Sequence, residues 1–304
     1  MSIFTIEDFE TEVNSTIEPL LGSHHAVFRG HAKNSYENLP TICRSKMKPQ
    51  EILLYDRLLQ FYFRLAITKN GYIGSVKLHP GFGTQGFLKS WLRLTQQRHL
   101  ELPSRLQDWT MNKLIALYFA VSNVTHHNED GHVWVLLSPT KYAWSNDENF
   151  NERMERKYLH LNAGDADMKI LDGIDPFNLE KTVLVHYAHS AKDWLLQVGE
   201  VRRGAQGGKF IVCPTSVINV PLDKQFIGHM MRKIEIPAAA KPNLLALLTA
   251  RGYSNHTLLP SIPSDTKKIL EKVNKRAIRH LNFCLYINST IQELLKFFNI
   301  RGGE

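Results

Sequence analysis

Residues 96–123 read QQRHLELPSRLQDWTMNKLIALYFAVSN. Pro103 fixes the backbone ahead of a tight segment, and the apolar periodicity of 113–121 then predicts a helix that buries Leu114, Ile115, Leu117, Tyr118 and Val121. Asp108 is the residue type that caps and charge-stabilises a helix start, and Arg105 lies close enough in sequence to bridge it. The pair is open to two readings: a buried ion pair that specifies geometry, or part of a site.

The same periodicity read outward from this stretch gives an α+β chain. Upstream, Thr5 is placed to cap a helix with Phe9, Val13 and Ile17 at four-residue spacing, ended by Pro19. A strand is predicted at 26–29, helices at 49–66 and 87–97, and a glycine-rich loop at 71–86. Downstream, 132–138, 182–187, 209–212 and 232–236 read as strands, and 244–250 as a helix closed by Gly252. The polar stretch 145–169 reads as a lid or surface insertion. The predicted fold is a mixed, mostly antiparallel sheet flanked by helices over 1–263, with a helical C-terminal extension over 264–304. In that extension Ile269, Val273, Ala277 and Leu281 share one face of a helix over 265–283, surrounded by Lys267, Lys268, Lys272, Lys275, Arg276 and Arg279, and a second helix is predicted from Ser289.

Composition narrows the functional classes. The chain's 304 residues, 43% of them hydrophobic, suffice for a sizeable core. A formal charge of +8 favours polyanionic partners: nucleotides, nucleic acid or an anionic surface. Cys43, Cys213 and Cys284 are odd in number, far apart and in no CxxC pair, which predicts a reducing, cytoplasmic setting. No uncharged run approaches the ~20 residues of a membrane span, so no membrane partner is expected.

Three short stretches carry candidate chemistry. FRGH, residues 28–31, places Arg29 at the end of an apolar strand, where its donors need either Asp108 or another carboxylate, or an anionic ligand. Arg29 is the right group to hold a pyrophosphate bidentately, Gly30 would let a ligand approach the backbone, and His31 would bond a ribose or amide. RRGAQGGKF, residues 202–210, reads equally as an anion cradle containing Arg202 and Arg203 or as a basic turn before a strand. His186, in HYAH, is a candidate acid or base; it and His189 lack the glutamate of a zinc protease, and no metal is expected. P-loop and GxSxG motifs are absent from the sequence, and GFGTQG at 81–86 matches GxGxxG inside the glycine-rich loop, a weak signal by itself.

FRGH with LPTICR, LPSRLQDWT with LIALYFA, RRGAQGGKF, and RKIEIP with RGYSNHTLLP resemble, in that order, the blocks of the FRG domain family. The family usually carries Tyr-Gly-Leu-Pro-Thr-Arg-Leu-Leu-Asp-Trp; here His99, Leu100 and Glu101 precede Leu102 and Pro103, Ser104 stands for threonine and Gln107 for the second leucine. That resemblance implies a domain of bacterial and phage-related settings whose name carries no settled activity. A second resemblance, to ADP-ribosyltransferases, rests on the aromatic-Arg-Gly strand and the 116–120 helix spacing. It implies an ADP-ribosyltransferase-like fold and an NAD-dependent transferase or NAD-cleaving enzyme, with a toxin or phage-defence role. Arg29, Gly30, His31, Arg105, Tyr118 and Arg203 would then hold the nucleotide, and Gln206, Glu235, Asp108 or His186 would serve the reacting ribose. Gln206 stands where the transferases have a glutamate, and an amide is a poorer general base. The alternatives are a module that binds nucleic acid or nucleotide without turnover, and a polar network that specifies the fold.

Overall fold

The computed structural model describes residues 3–17, 24–45, 47–78, 88–139, 158–162, 173–179, 182–186, 208–225, 231–259 and 261–301. The helices are α1 (Ile6–Ile17), α2 (Pro49–Ala66), α3 (Leu88–His99), α4 (Lys113–Val121), α5 (Leu222–Gln225), α6 (Lys241–Ala250), α7 (Asn255–Leu258) and α8 (Ser264–Arg301). The strands are β1 (His24–His31), β2 (Tyr72–Ile73), β3 (Val76–Lys77), β4 (Gln107–Thr110), β5 (Gly131–Pro139), β6 (Tyr158–Asn162), β7 (Thr182–His186), β8 (Gly208–Val212) and β9 (Met231–Ile236). Seven of them form one sheet in the order β6-β7-β8-β4-β1-β5-β9, antiparallel except for the edge pair β6 and β7. This is the α+β architecture that the sequence predicts.

Period-2 alternation distributes the core over both faces of the sheet. Phe28, Val133, Val135, Leu137, Ile234 and Ile236 turn to the face covered by α1, α4 and α6, while Val27, Trp109, Leu136, Ile211 and Met231 turn to the other. A further cluster joins α2, α8, the β2-β3 hairpin, Leu100 and Leu102. Thr5 caps α1, its hydroxyl accepting from Asp8 N while the Asp8 carboxylate accepts from Thr5 N, and Phe9, Val13 and Ile17 are buried as expected.

Several expectations are corrected. The glycine-rich loop contains the β2-β3 hairpin, turned through Gly74 at φ 56°. The tail is one 38-residue helix, not two, because no Gly or Pro interrupts 264–301 and Ser289 lies within the helical ladder. Its buried face carries Leu270 with Val273, Ala277 and Leu281, Ile269 being only half-buried, and it packs on α2. Asp108 does not cap α4: it lies in β4, and Asn112 is the cap, its side chain accepting from Leu114 N. Arg105 does not pair with Asp108 either. At 1% exposure it donates from Nε to Asp56 of α2 at 2.7 Å and from Nη1 to the Pro176 carbonyl, with its guanidinium 5.0 Å from the centre of the Phe177 ring. Of the polar 145–169 stretch, only β6 lies within the described residues.

Candidate functional site

A cavity of about 400 Å3 opens where β1 and β4 meet α4 and the end of α3. Its polar wall comprises Arg29 and His31 of β1, Arg44, Arg98 and His99, Glu101, and Asp108; Phe28, Tyr36, Trp109, Phe119 and Leu259 supply apolar surface. A volume of this order suits a small ligand.

Register explains why these residues meet. Arg29 and His31, two apart on β1, project from the same face, and His31 stands directly opposite His132 on β5. Arg29 is 8% exposed, and its Nε donates to His31 Nε2 at 3.0 Å. A His31 that accepts at Nε2 carries its proton on Nδ1, which faces His132 Nε2 at 3.1 Å and the Tyr36 carbonyl at 3.3 Å. Burial, followed by the Arg29 charge, pushes His31 down to about 2, and burial pushes His132 down to about 3, so both rings are neutral acceptors near neutral pH.

Arg29 Nη1 donates to the Asp108 carbonyl at 2.9 Å. The Asp108 carboxylate instead accepts from Arg98 Nε at 2.6 Å, with Arg98 Nη2 also in contact. Among the described residues Arg29 forms no ion pair and its Nη2 has no hydrogen-bond partner. Burial, against a partial offset from Asp108, pushes it down to about 9, and the like charges of Arg44 and Arg98 push the same way. Arg44 is lowered by desolvation and by Arg98. Three arginines against the carboxylates of Glu101 and Asp108 give the wall a formal charge of +1. Guanidiniums that depress one another around a cavity are stabilised by an anion entering it.

Gly30 lines this cavity, but packing explains it more directly than ligand approach does. A Cβ there would lie 1.8 Å from the Ala116 carbonyl oxygen and 2.8 Å from Ala120 N, so the absence of a side chain lets α4 lie on β1.

The structure brings Arg29, Gly30, His31 and Asp108 together and places the other sequence candidates elsewhere. Arg105 is held by Asp56; the Tyr118 hydroxyl donates to Asn255 Oδ1 at 3.2 Å, away from the wall; and Glu235 is exposed on β9, accepting from Asn34 and 3.6 Å from Lys233. His186 ends β7 opposite Asn162 and Lys209. Arg202, Arg203, Gln206 and His189 lie outside the described residues. Among the described residues, no group of three or more His, Cys, Asp and Glu side chains is arranged to hold a metal ion. No helix among them is long and apolar enough to cross a membrane.

Sequence reasoning missed Arg44, Arg98, Glu101 and His132. Arg44 sat at the end of a recognised block, whereas Arg98 and Glu101 reach the wall only because α3 ends beside β4. Glu101 is the one non-glycine described residue with positive φ, at 62°. It terminates α3 in a Schellman arrangement, Glu101 N donating to Arg98 O at 3.1 Å and Leu102 N to Gln97 O at 3.0 Å, at the position glycine usually fills. This strained residue lines the edge of an arginine-lined cavity.

The fold and site thus define an α+β protein with an arginine-walled cavity at the centre of its sheet. Residues 24–129 match the family model of the FRG domain, so an FRG domain is present in this chain. The match contains every cavity residue named here except Leu259. No curated protein and no solved structure matches the chain.

Proposed function

We propose that the FRG-domain cavity binds the phosphate groups of a nucleotide-type ligand, with Arg29 as the central anion-holding group and NAD as the ligand to test first. The observation that carries this reading is the buried Arg29 guanidinium, which turns to neutral acceptors on two sides, lacks a carboxylate partner among the described residues, and faces a cavity flanked by Arg44 and Arg98. Tyr36 and Phe119, the lining rings that are not buried in the core, provide apolar surface for a base.

The reaction this reading favours is ADP-ribosyl transfer or NAD cleavage, in which a carboxylate steadies positive charge developing on the ribose. Glu101 lines the cavity at a strained backbone position, and we assign it that role. The Arg98–Asp108 pair also supports the second reading, binding without turnover.

Calorimetric titration with NAD and ADP, followed by assay for released nicotinamide, tests both. Arg29→Lys keeps the charge and loses the fork, and is expected to weaken binding about 10-fold or more, in line with the ~1.5–3 kcal/mol of a charge-assisted hydrogen bond. Glu101→Gln is expected to retain binding and abolish nicotinamide release. Failure of the wild-type protein to bind either nucleotide overturns the proposal; binding without release leaves the module and removes the enzyme.

A further inference from the structure

The long C-terminal helix carries a second polyanion signal, independent of the cavity. Residues 264–301 hold eight Lys and Arg against three acidic residues, a surplus of five in a chain whose whole net charge is +8. The buried face of α8, Leu270, Val273, Ala277 and Leu281, packs on α2 and fixes the opposite face toward solvent. On that outward face Lys268, Lys272, Lys275, Arg276, Arg279, Phe283 and Tyr286 follow one another at three- and four-residue spacing.

All seven are exposed. Phe283 is 60% and Tyr286 70% exposed, the latter the highest value among the large hydrophobic side chains described. None of the five cations forms an ion pair among the described residues, and Glu271 is the only acidic residue between Lys268 and Tyr286. A solvated helix face explains the lysines but not two rings left in water on the same line. A core helix would turn the rings inward, and because lysine is depleted at protein–protein interface cores, cations beside the rings favour a polyanion over a protein partner.

Phosphates for the cations and unpaired bases for the rings account for both halves of the stripe. We infer that the outer face of α8 binds single-stranded nucleic acid, with Lys268 to Arg279 following the backbone and Phe283 and Tyr286 stacking on bases. From Lys268 to Tyr286 the stripe runs about 27 Å at 1.5 Å per residue, room for several nucleotides. Duplex nucleic acid offers the phosphates but no open base face, so the aromatic half distinguishes single strands.

Fluorescence anisotropy with a labelled oligothymidylate tests this, using the full chain at several salt concentrations. At about −0.7 per phosphate, the five cations are expected to give a slope of log affinity on log salt of about −3.5. Phe283→Ala with Tyr286→Ala is expected to weaken binding about 10-fold to 100-fold without altering the slope. Lys272→Glu with Arg276→Glu is expected to weaken binding and to make the slope shallower by about 1.4. These positions are exposed, so circular dichroism should show unchanged folding, and Arg29→Lys should bind the oligonucleotide as wild type does. Absence of binding at low salt, equal affinity for duplex and single strand, or indifference to loss of the rings overturns the inference. So does a dimer in sedimentation that loss of the rings dissociates, since the face would then belong to a second copy.

Discussion

Glu101 shows how one residue trades stability for position. The left-handed backbone costs a residue with a Cβ about 1–2 kcal/mol, which glycine avoids at some expense in chain entropy. Glu101→Gly should therefore raise stability by up to about 1 kcal/mol, read as a higher urea midpoint, while removing the carboxylate from the cavity edge. A variant that is less stable would show that the side chain holds the fold. Asp56 and Arg105 make the opposite case. Their pair is buried at 0% and 1% side-chain exposure, and burial raises the Asp56 carboxyl before Arg105 opposes it. Among the described residues Asp56 Oδ1 and Arg105 Nη2 lack hydrogen-bond partners, so either residue left alone would be a poorly compensated buried charge. Asp56→Ala is expected to destabilise the protein by about 3–5 kcal/mol in urea unfolding, and Asp56→Leu with Arg105→Met by less than the sum of the single changes.

Among the elements, the contact of α4 with β1 sets the cavity's shape, and Gly30 sets that contact. Gly30→Ala should force the two apart or fail to fold; a loss of about 3 kcal/mol or more, measured by thermal unfolding, is expected from a Cβ meeting backbone atoms that cannot swing away. Strongly periodic elements were legible before any coordinates. The sequence reading placed α2 at 49–66 and α4 at 113–121, the bounds the structure has, because their apolar spacing agrees with Pro49 in the first turn of one and the Asn112 cap of the other. The site was legible only in part. Arg29, His31 and Asp108 stood out through strand position and block, but which carboxylate each arginine meets is a tertiary fact. Arg105 is three residues from Asp108 yet finds Asp56, forty-nine positions away, while Arg98 reaches Asp108 from the preceding helix. Proximity in sequence favoured the wrong partner because Arg105 precedes β4 and lies against α2, whereas Asp108 lies within β4 beside the end of α3.

At the scale of the whole molecule, the Arg29, His31 and His132 chain couples pH to stability while leaving the cavity's central charge fixed. A histidine of ordinary pKa near 6.5 is protonated in the unfolded chain below that pH, whereas folded His31 and His132 stay neutral down to about 2 and 3. Between about pH 3 and 6.5 the unfolded state therefore binds more protons, and stability falls as pH falls, by about 1.4 kcal/mol per pH unit for each histidine; above that window the pair contributes no slope. Urea unfolding from about pH 7.5 to 4.5 should show this, and His132→Gln should remove about half of the histidine contribution; an unchanged slope would show that His132 is not held neutral. Arg29 acts at the other end of the scale. Burial lowers its pKa, but a guanidinium is not deprotonated in proteins, so it stays a cation throughout the working range. Anion binding centred on Arg29 should therefore stay level from about pH 7 to 10. Affinity that falls within that range would place the anion on a group that titrates there instead of on the buried guanidinium.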